Sequence, residues 1–527
     1  MRSGIKTFLF LMTVGMSALL VPRVTAQEST RQTTILVQYI EYEWWLIRWS
    51  GNQIVCQIFI DHEGLPTAEE VFQNCGEEIA VEWSTTGGCK AENPSSCPGY
   101  YLHFASYEQK EKEVIIDLPP STVWITLEGC SPIPPENLCT QMPSLLFIGE
   151  EPLPNETITA IHGTYNGYPF TCEGDRCSIP LSVTPVDGIL VEFWADSSFG
   201  DSSQIFEAKV RVIESGVSST QSASGWYVDV LSSQWIGNEV ASCAETWQAF
   251  PPIGTPPPWL STPDQSQLLA SNEAYYYLAG RLISQGVVNA SSCATGGLLP
   301  NGYADSCGLE IAKTEVQAWQ NLFDNRIIQV SKNTGVPGQL LKNLFAQESQ
   351  FWPGIFRVPY EFGLGQITDN GTDVILLWNP TFYKQFCPLV LSQDTCDEGY
   401  IHLDDEEQAL LRGALAFQAN ADCPSCPTGV DLTNESVPLF ANTLLANCEQ
   451  IGQIVYTATG EIGGDVSTYE DLWRFTVANY HAGPGCVSFA IHSAWNNNSP
   501  ILTWEDVSTR FTVPCQGVVP YVNKITQ

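Results

Sequence analysis

The sequence predicts a multidomain chain in which all-β modules come first and a mainly α-helical domain follows. Two observations carry that reading. From Gln27 to about Glu214 the residues are largely β-branched and aromatic, and turn-forming residues cut them into short runs. Beyond Pro263 apolar residues instead recur at three- and four-residue steps, the spacing of a helix face. Length sets the scale, since 527 residues suffice for two to four domains of ordinary size.

Residues 1–26 have the layout of a secretory signal: Arg2 and Lys6, an apolar run from Phe8 to Val21, then Val24 and Ala26 before a cut. Gln27 is the expected mature N-terminus. No later stretch is apolar for the length of a membrane span, so the mature chain is expected to be soluble. A first β module is read over 27–143. In it "TTILVQYIEYEWWLIRWSGNQIVCQIFI" gives two strands joined at Ser50, Gly51 and Asn52. Thr67 and Glu70 form a capping box for a short helix that Gly76 closes, and proline clusters end the module. The block 144–214 reads as a second module. Its "DGILVEFWADSSFGDSSQIFEAKVRV" has the strand, polar loop and alternating strand of an immunoglobulin-like sandwich. Residues 215–262 read as a linker, with a Ser/Thr-rich part and the stiffer "PPIGTPPPW". The helical domain spans 263–527. Leu268, Tyr275, Leu278 and Leu282 mark one helix face, and Val316, Trp319, Phe323 and Ile327 another. No repeat of fixed period is present.

Eighteen cysteines, all beyond the signal, point to an oxidising compartment and to a secreted, extracellular or cell-envelope protein. Cys172/Cys177, Cys387/Cys396 and Cys423/Cys426 are the simplest local bridges. The last pair also has half of a zinc-site spacing, but no second pair matches it. The net charge of −36 becomes −39 when Arg2, Lys6 and Arg23 leave with the signal, which argues against a nucleic-acid partner. Trp44, Trp45 and Trp49 suit either a sheet core or a stacking surface for sugar rings.

One stretch raises a chemical question. In "LLKNLFAQESQFWPG", read as a helix from Pro337 to a stop at Pro353 and Gly354, Glu348 shares a face with Val336, Leu340, Leu341, Leu344, Phe345 and Trp352. Apolar neighbours and the negative end of the helix both favour the neutral acid, so its pKa is expected to rise. Such an acid suits proton donation to a leaving sugar oxygen. A structural role, paired with Arg357 or Lys384 or placed at the solvent edge of the stripe, is the alternative. "FGLGQIT" follows at 362–368. "ANYHAGPGCV" at 478–487 ends a helix opened by a capping box of Ser467 and Glu470.

The order "ES", "GLGQ", "NYHAGPG", over about 308–495, resembles the lytic transglycosylase family, whose domain shares the fold of goose-type lysozymes. The resemblance implies that Glu348 is the single catalytic acid and base, with Ser349 helping to place it. It also implies that Gln366 contacts substrate and that the Tyr480 hydroxyl lies near the acid. His481 stands where the family has asparagine, Tyr360 and Glu361 where it has Gly-Ala, and Gly365 where it has a larger apolar residue. The implied substrate is peptidoglycan, cut between N-acetylmuramic acid and N-acetylglucosamine with a 1,6-anhydro product, and no cofactor or metal is implied. The β modules are free to meet a cell-surface or protein partner. Asp369 and Asp373 are candidates for the second carboxylate of a hydrolytic lysozyme, or else turn and cap residues of "TDNGTD". A non-catalytic glycan-binding protein is the rival reading. Zinc-protease, Gly-x-Ser-x-Gly and P-loop motifs are absent from the sequence. The cysteine-rich stretch 387–448 reads as a stapled insertion beside the groove.

Overall fold

A computed structural model describes residues 31–86, 88–90, 97–130, 137–216, 225–236, 242–352, 361–419, 435–495 and 500–527. The signal segment, Cys423/Cys426, Arg357 and Tyr360 lie outside them. The chain forms two compact units, one made of 27–121 with 151–156 and the other of the remainder.

In the first unit, β1 (Gln32–Arg48) pairs with β2 (Gln53–Ile60) and β3 (Tyr100–Asp117) in an antiparallel sheet of order β2-β1-β3. The β1–β2 turn falls at the predicted residues, where Gly51 and Asn52 take the left-handed conformation that a tight hairpin requires. Helix α1 (Ala68–Cys75) opens with the expected Thr67/Glu70 capping box. Gly76 ends it and at once begins α2 (Glu77–Thr85), a helix not anticipated from sequence. Leu46, Ile58, Ile60, Val71, Ala80 and Tyr100 form the small core between sheet and helices. So small a core needs help, and Cys56–Cys75 ties α1 to β2. Arg31 adds a buried ion pair with Glu151 at 2.7 Å.

The second unit begins with a two-sheet β structure. One sheet contains β4 (Thr122–Glu128), β6 (Ser144–Glu150) and β9 (Arg176–Pro180) in the order β4-β6-β9. The other contains β5 (Leu138–Cys139), β7 (Ile158–Tyr165), β8 (Tyr168–Glu173), β10 (Ile189–Ser197), β11 (Phe206–Glu214) and β12 (Trp226–Leu231), in the order β5-β12-β11-β10-β7-β8. Alternate residues such as Val123, Ile125, Leu145, Phe147, Phe193 and Val210 bury into one core shared by both sheets. Strand β4 lies within the stretch read as the first module, and β12 within the stretch read as linker. The Ser/Thr-rich stretch hid β12, and the proline clusters put the end of the first module beyond β4 rather than before it.

The rest of that supposed linker is structured as well. Helix α3 (Ser242–Trp247) is clamped by Cys243–Cys448, and Trp247 is fully buried with its indole N–H donating to the Cys448 carbonyl at 2.8 Å. Trp259 is buried too. Two indoles carry too much apolar surface for a solvated spacer, so 242–262 joins the helical core. Arg211 of β11 secures it, donating to the Pro251 carbonyl at 2.6 Å while its guanidinium lies over Phe250.

The helical part continues with α4 (Tyr276–Ser284), α5 (Ser306–Asn321), α6 (Asp324–Thr334), α7 (Gly338–Glu348), α8 (Asp369–Trp378), α9 (Pro380–Phe386), α10 (Gln393–Asp397) and α11 (Asp405–Ala419). After them come α12 (Ser436–Thr459), α13 (Gly463–Val466), α14 (Tyr469–Ala482), α15 (Pro484–Trp495), α16 (Trp504–Ser508) and α17 (Val518–Ile525). The long α12 packs against α3, α6, α8, α14 and α15, which makes it the axis of this half. The expected face through Leu268 is not one helix: Leu268 is exposed, and only Leu278 and Leu282 belong to α4. The face through Val316 and Ile327 is split at Leu322 and Phe323, between α5 and α6.

Eight disulfides occur among the described residues, including the expected Cys172–Cys177 and Cys387–Cys396. Among those residues no helix is long and apolar enough to cross a membrane.

Candidate active site

Helix α7 carries Glu348 as its last residue. Leu340, Leu341, Leu344 and Phe345 are completely buried, as the stripe predicts, while Glu348 is half-exposed at the end of that face. Lys342 is also completely buried, which the sequence did not signal. Its ammonium donates to Asp324 at 2.6 Å and to the Gln320 carbonyl at 3.0 Å, over the face of Phe351.

The helix does not run on to Pro353. It stops at Glu348, and the chain reverses through Gln350 and Phe351, both left-handed with φ of 50° and 61°. Neither residue favours that conformation, so tertiary contacts must impose it. The Phe351 ring is fully buried beside Tyr275, Phe323 and Phe345. The Gln350 side-chain oxygen accepts from the Tyr277 and Leu278 amides, satisfying the start of α4. Trp352 stacks on Trp319 off the helix. Packing thus ends α7 where sequence reasoning looked for proline.

At that end the Glu348 carboxylate accepts a hydrogen bond from the Tyr521 hydroxyl of α17. The next element is a tight loop in which the backbones of Phe362 and Ile367 pair at 3.0 and 2.9 Å. Gly365 has no room for a side chain, because a Cβ there would lie 1.9 Å from the Phe440 ring. Phe440 of α12 therefore fills the space a larger residue would take. Gln366 is buried and left-handed, with φ of 56°; its side-chain N–H donates to the Gly363 carbonyl at 2.7 Å. Its side-chain oxygen is buried without a hydrogen-bond partner among the described residues.

Helix α14 supplies the third part. Its cap is Thr468 with Asp471, one residue beyond the expected Ser467 and Glu470; Ser467 instead donates to the Leu502 carbonyl. Asn479 is buried and donates to Asn447 and Gln450 of α12, both at 2.8 Å, which fixes the end of α14. Tyr480 donates to the Gly365 carbonyl and meets the Phe440 ring edge-on. His481 lies flat on Tyr521, with ring centres 3.8 Å apart and planes 13° off parallel.

These contacts set the charge states. Burial, then Glu348 and Glu361, raise Tyr480 well above the usual tyrosine value. Burial, then Glu348 and Tyr480, do the same for Tyr521. Both are neutral hydroxyl donors at any physiological pH. Burial lowers the pKa of His481.

Of the residues proposed from sequence, Glu348, Gln366, Tyr480 and His481 thus lie in one linked set of contacts. Ser349 is buried beneath them, its hydroxyl donating to the Phe345 carbonyl at 3.3 Å. Asp369 is exposed in the first turn of α8, whose cap is Thr368. Asp373 accepts from Arg412 at 2.9 Å and from Tyr400 at 2.5 Å, in a network of its own. Sequence reasoning missed Tyr521, Asn479 and Phe440. Asn479 alone lay inside a quoted motif.

No family model, curated protein or solved structure matches the chain. Its chemistry must be read from the residues themselves.

Among the described residues one group has metal-ligand character, Cys293, Asp305 and Cys307. Its sulfurs form a disulfide, and Asp305 caps α5 through the Gly308 amide. Both roles are structural. A cleft of about 250 Å³ between α3, α8 and α12, lined by Trp378, Glu449 and Tyr456 among others, contains none of the proposed residues. In the first unit, Trp44 packs against the core, Trp45 donates to Glu43 at 2.7 Å, and Trp49 lies against Tyr101.

Proposed function

We propose that the helical domain is a lysozyme-like lytic transglycosylase that cleaves the glycan strands of peptidoglycan. It belongs to a secreted protein whose two-sheet region is an immunoglobulin-like sandwich. The carrying observation is the convergence on one carboxyl group: Glu348 ends α7, Tyr521 donates to it, and Tyr480 of α14 lies within its electrostatic reach while donating to the loop that holds Gln366. The eight disulfides among the described residues support the extracellular setting.

In this reading the Glu348 carboxyl donates its proton to the glycosidic oxygen, and the bond from that oxygen to the muramic acid C1 breaks. The carboxylate then takes the proton of the muramic acid 6-hydroxyl as its oxygen bonds to C1, closing the 1,6-anhydro ring and restoring the acid. Water is not consumed. Tyr521 supports the intermediate carboxylate with its hydrogen bond. The vacant acceptor of Gln366 suits a substrate N–H, such as that of an N-acetyl group.

One observation favours a hydrolytic variant. Glu361 acts electrostatically on Tyr480, as Glu348 does, so a second carboxylate shares that tyrosine where the resembled family has Gly-Ala. The two outcomes differ by one water. Mass spectrometry of fragments released from purified peptidoglycan is expected to show 1,6-anhydro ends with the parent protein and none with Glu348→Gln. Reducing ends that vanish in Glu361→Gln would establish the hydrolase, and no fragments from a folded parent protein that sediments with the wall would establish a binding protein.

A further inference from the structure

We propose that His481 is a positioning residue for Glu348, acting through the Tyr521 ring on which it is stacked. The proposal rests on the reading of Glu348 as the acid. The geometry forms a chain of three: an imidazole parallel to a phenol at 3.8 Å, and that phenol donating to the carboxylate. Tyr521 is buried on α17, whereas the residue His481 is exposed at the end of α14. The imidazole therefore has one face covered by the phenol ring, the burial that lowers its pKa, while the residue keeps an exposed edge at the end of α14.

Neutral imidazole holds the phenol ring by flat stacking. An imidazolium in the same place draws electron density from the phenol, strengthens its O–H as a donor and so stabilises the Glu348 carboxylate. A carboxylate stabilised in that way is a poorer proton donor to the sugar oxygen. Productive chemistry thus calls for neutral His481 with protonated Glu348. Because burial lowers the His481 pKa from its usual 6.5, the neutral form persists below that pH. Among the described residues Glu348 and Tyr480 act electrostatically on Tyr521, and Glu361 acts on Tyr480; both tyrosines stay neutral. Lys524, one turn beyond Tyr521, is paired with Glu273 at 2.6 Å, and His492 of α15 is hydrogen-bonded to the Ser488 carbonyl of its own helix.

The first test needs no substrate. Proton NMR titration of the histidine ring, assigned by the signal lost in His481→Asn, is run on the parent protein, on Glu348→Gln and on Tyr521→Phe. The expected result is a His481 pKa lower by about half a pH unit in Glu348→Gln, the size of a partly screened interaction between single charges. An unchanged His481 pKa in that variant overturns the proposal, whatever the lytic assay gives. The second test compares pH profiles of peptidoglycan lysis: the parent protein loses activity on an acid limb below pH 6.5, and His481→Asn keeps it there. Superimposable profiles also overturn the proposal. A coupled His481 in a protein that lyses nothing at any pH would instead refute the glycan-cleaving reading and leave the coupling in place.

Discussion

At the scale of single residues, the site depends on a tyrosine that no motif announced. Tyr521 supplies the hydrogen bond to Glu348, while the tyrosine that the motif did announce, Tyr480, donates to a backbone carbonyl and holds the Gln366 loop. Tyr521→Phe keeps the ring and its stack but removes the donor. Lysis is expected to fall about a hundredfold with the thermal midpoint nearly unchanged, measured by fragment release and by calorimetry on the same preparation. A variant as active as the parent would remove Tyr521 from the mechanism. Glu348 was legible because a carboxylate in an apolar stripe violates the ordinary pattern. Tyr521 was not, because a tyrosine at the edge of an amphipathic helix violates nothing. Only the folding of α17 onto α7 reveals its role.

At the scale of elements, hydrophobic spacing and capping chemistry gave the sequence reading most of its success. The Thr67/Glu70 box, the Gly51/Asn52 turn, β10 and β11 all lie where local rules put them. The end of α7 does not, because long-range packing of Phe351 and capping by Gln350 decide it, and neither partner is near in sequence. Two predictions belong here. The buried Lys342–Asp324 pair holds α7 to α6, and burial lowers the lysine pKa and raises that of the aspartate. Lys342→Met strands the carboxylate and is expected to cost about 3–5 kcal/mol in urea unfolding, most of it recovered by adding Asp324→Leu. Helix α1 should show a pH window. Hydrogen bonds to the Glu63 carbonyl and to Glu70 raise His62 above its usual 6.5, so its stabilising contribution is complete below that pH and is lost as pH rises through the folded pKa. Glu70 lies below its usual 4.5 although burial pushes it upward, because Thr67 and His62 hydrogen-bond the carboxylate; its contribution is complete above that pH and is lost on acidification. Hydrogen exchange of α1 amides is therefore expected to be slowest between pH 4.5 and 6.5 after correction for intrinsic rates, and His62→Gln to erase the upper edge.

At the scale of the whole molecule, the order of β region before helical region was readable, but the boundaries were not. Strand β12 and helix α3 fell in a segment whose prolines and serines look like a spacer, and tertiary burial of Trp247 and Trp259 overrode that composition. Cys243–Cys448, whose cysteines are 205 residues apart, fastens α3 to the central α12. Replacing both cysteines by serine is expected to lower stability by about 5 kcal/mol at 25 °C on the loop-entropy scale, seen as a lower calorimetric midpoint. An unchanged midpoint would mean that the burial of Trp247 alone holds the segment. The contact between Tyr521 and Glu348 has a temporal meaning as well as a spatial one. The two residues are 173 positions apart, so a ribosome completes the acid long before it completes the acid's partner. A chain that stops short of α17 lacks the hydroxyl that meets Glu348. On the proposed reading of Glu348 as the acid, competence arrives late in synthesis, as a property of the closed chain rather than of the helix that bears the carboxylate.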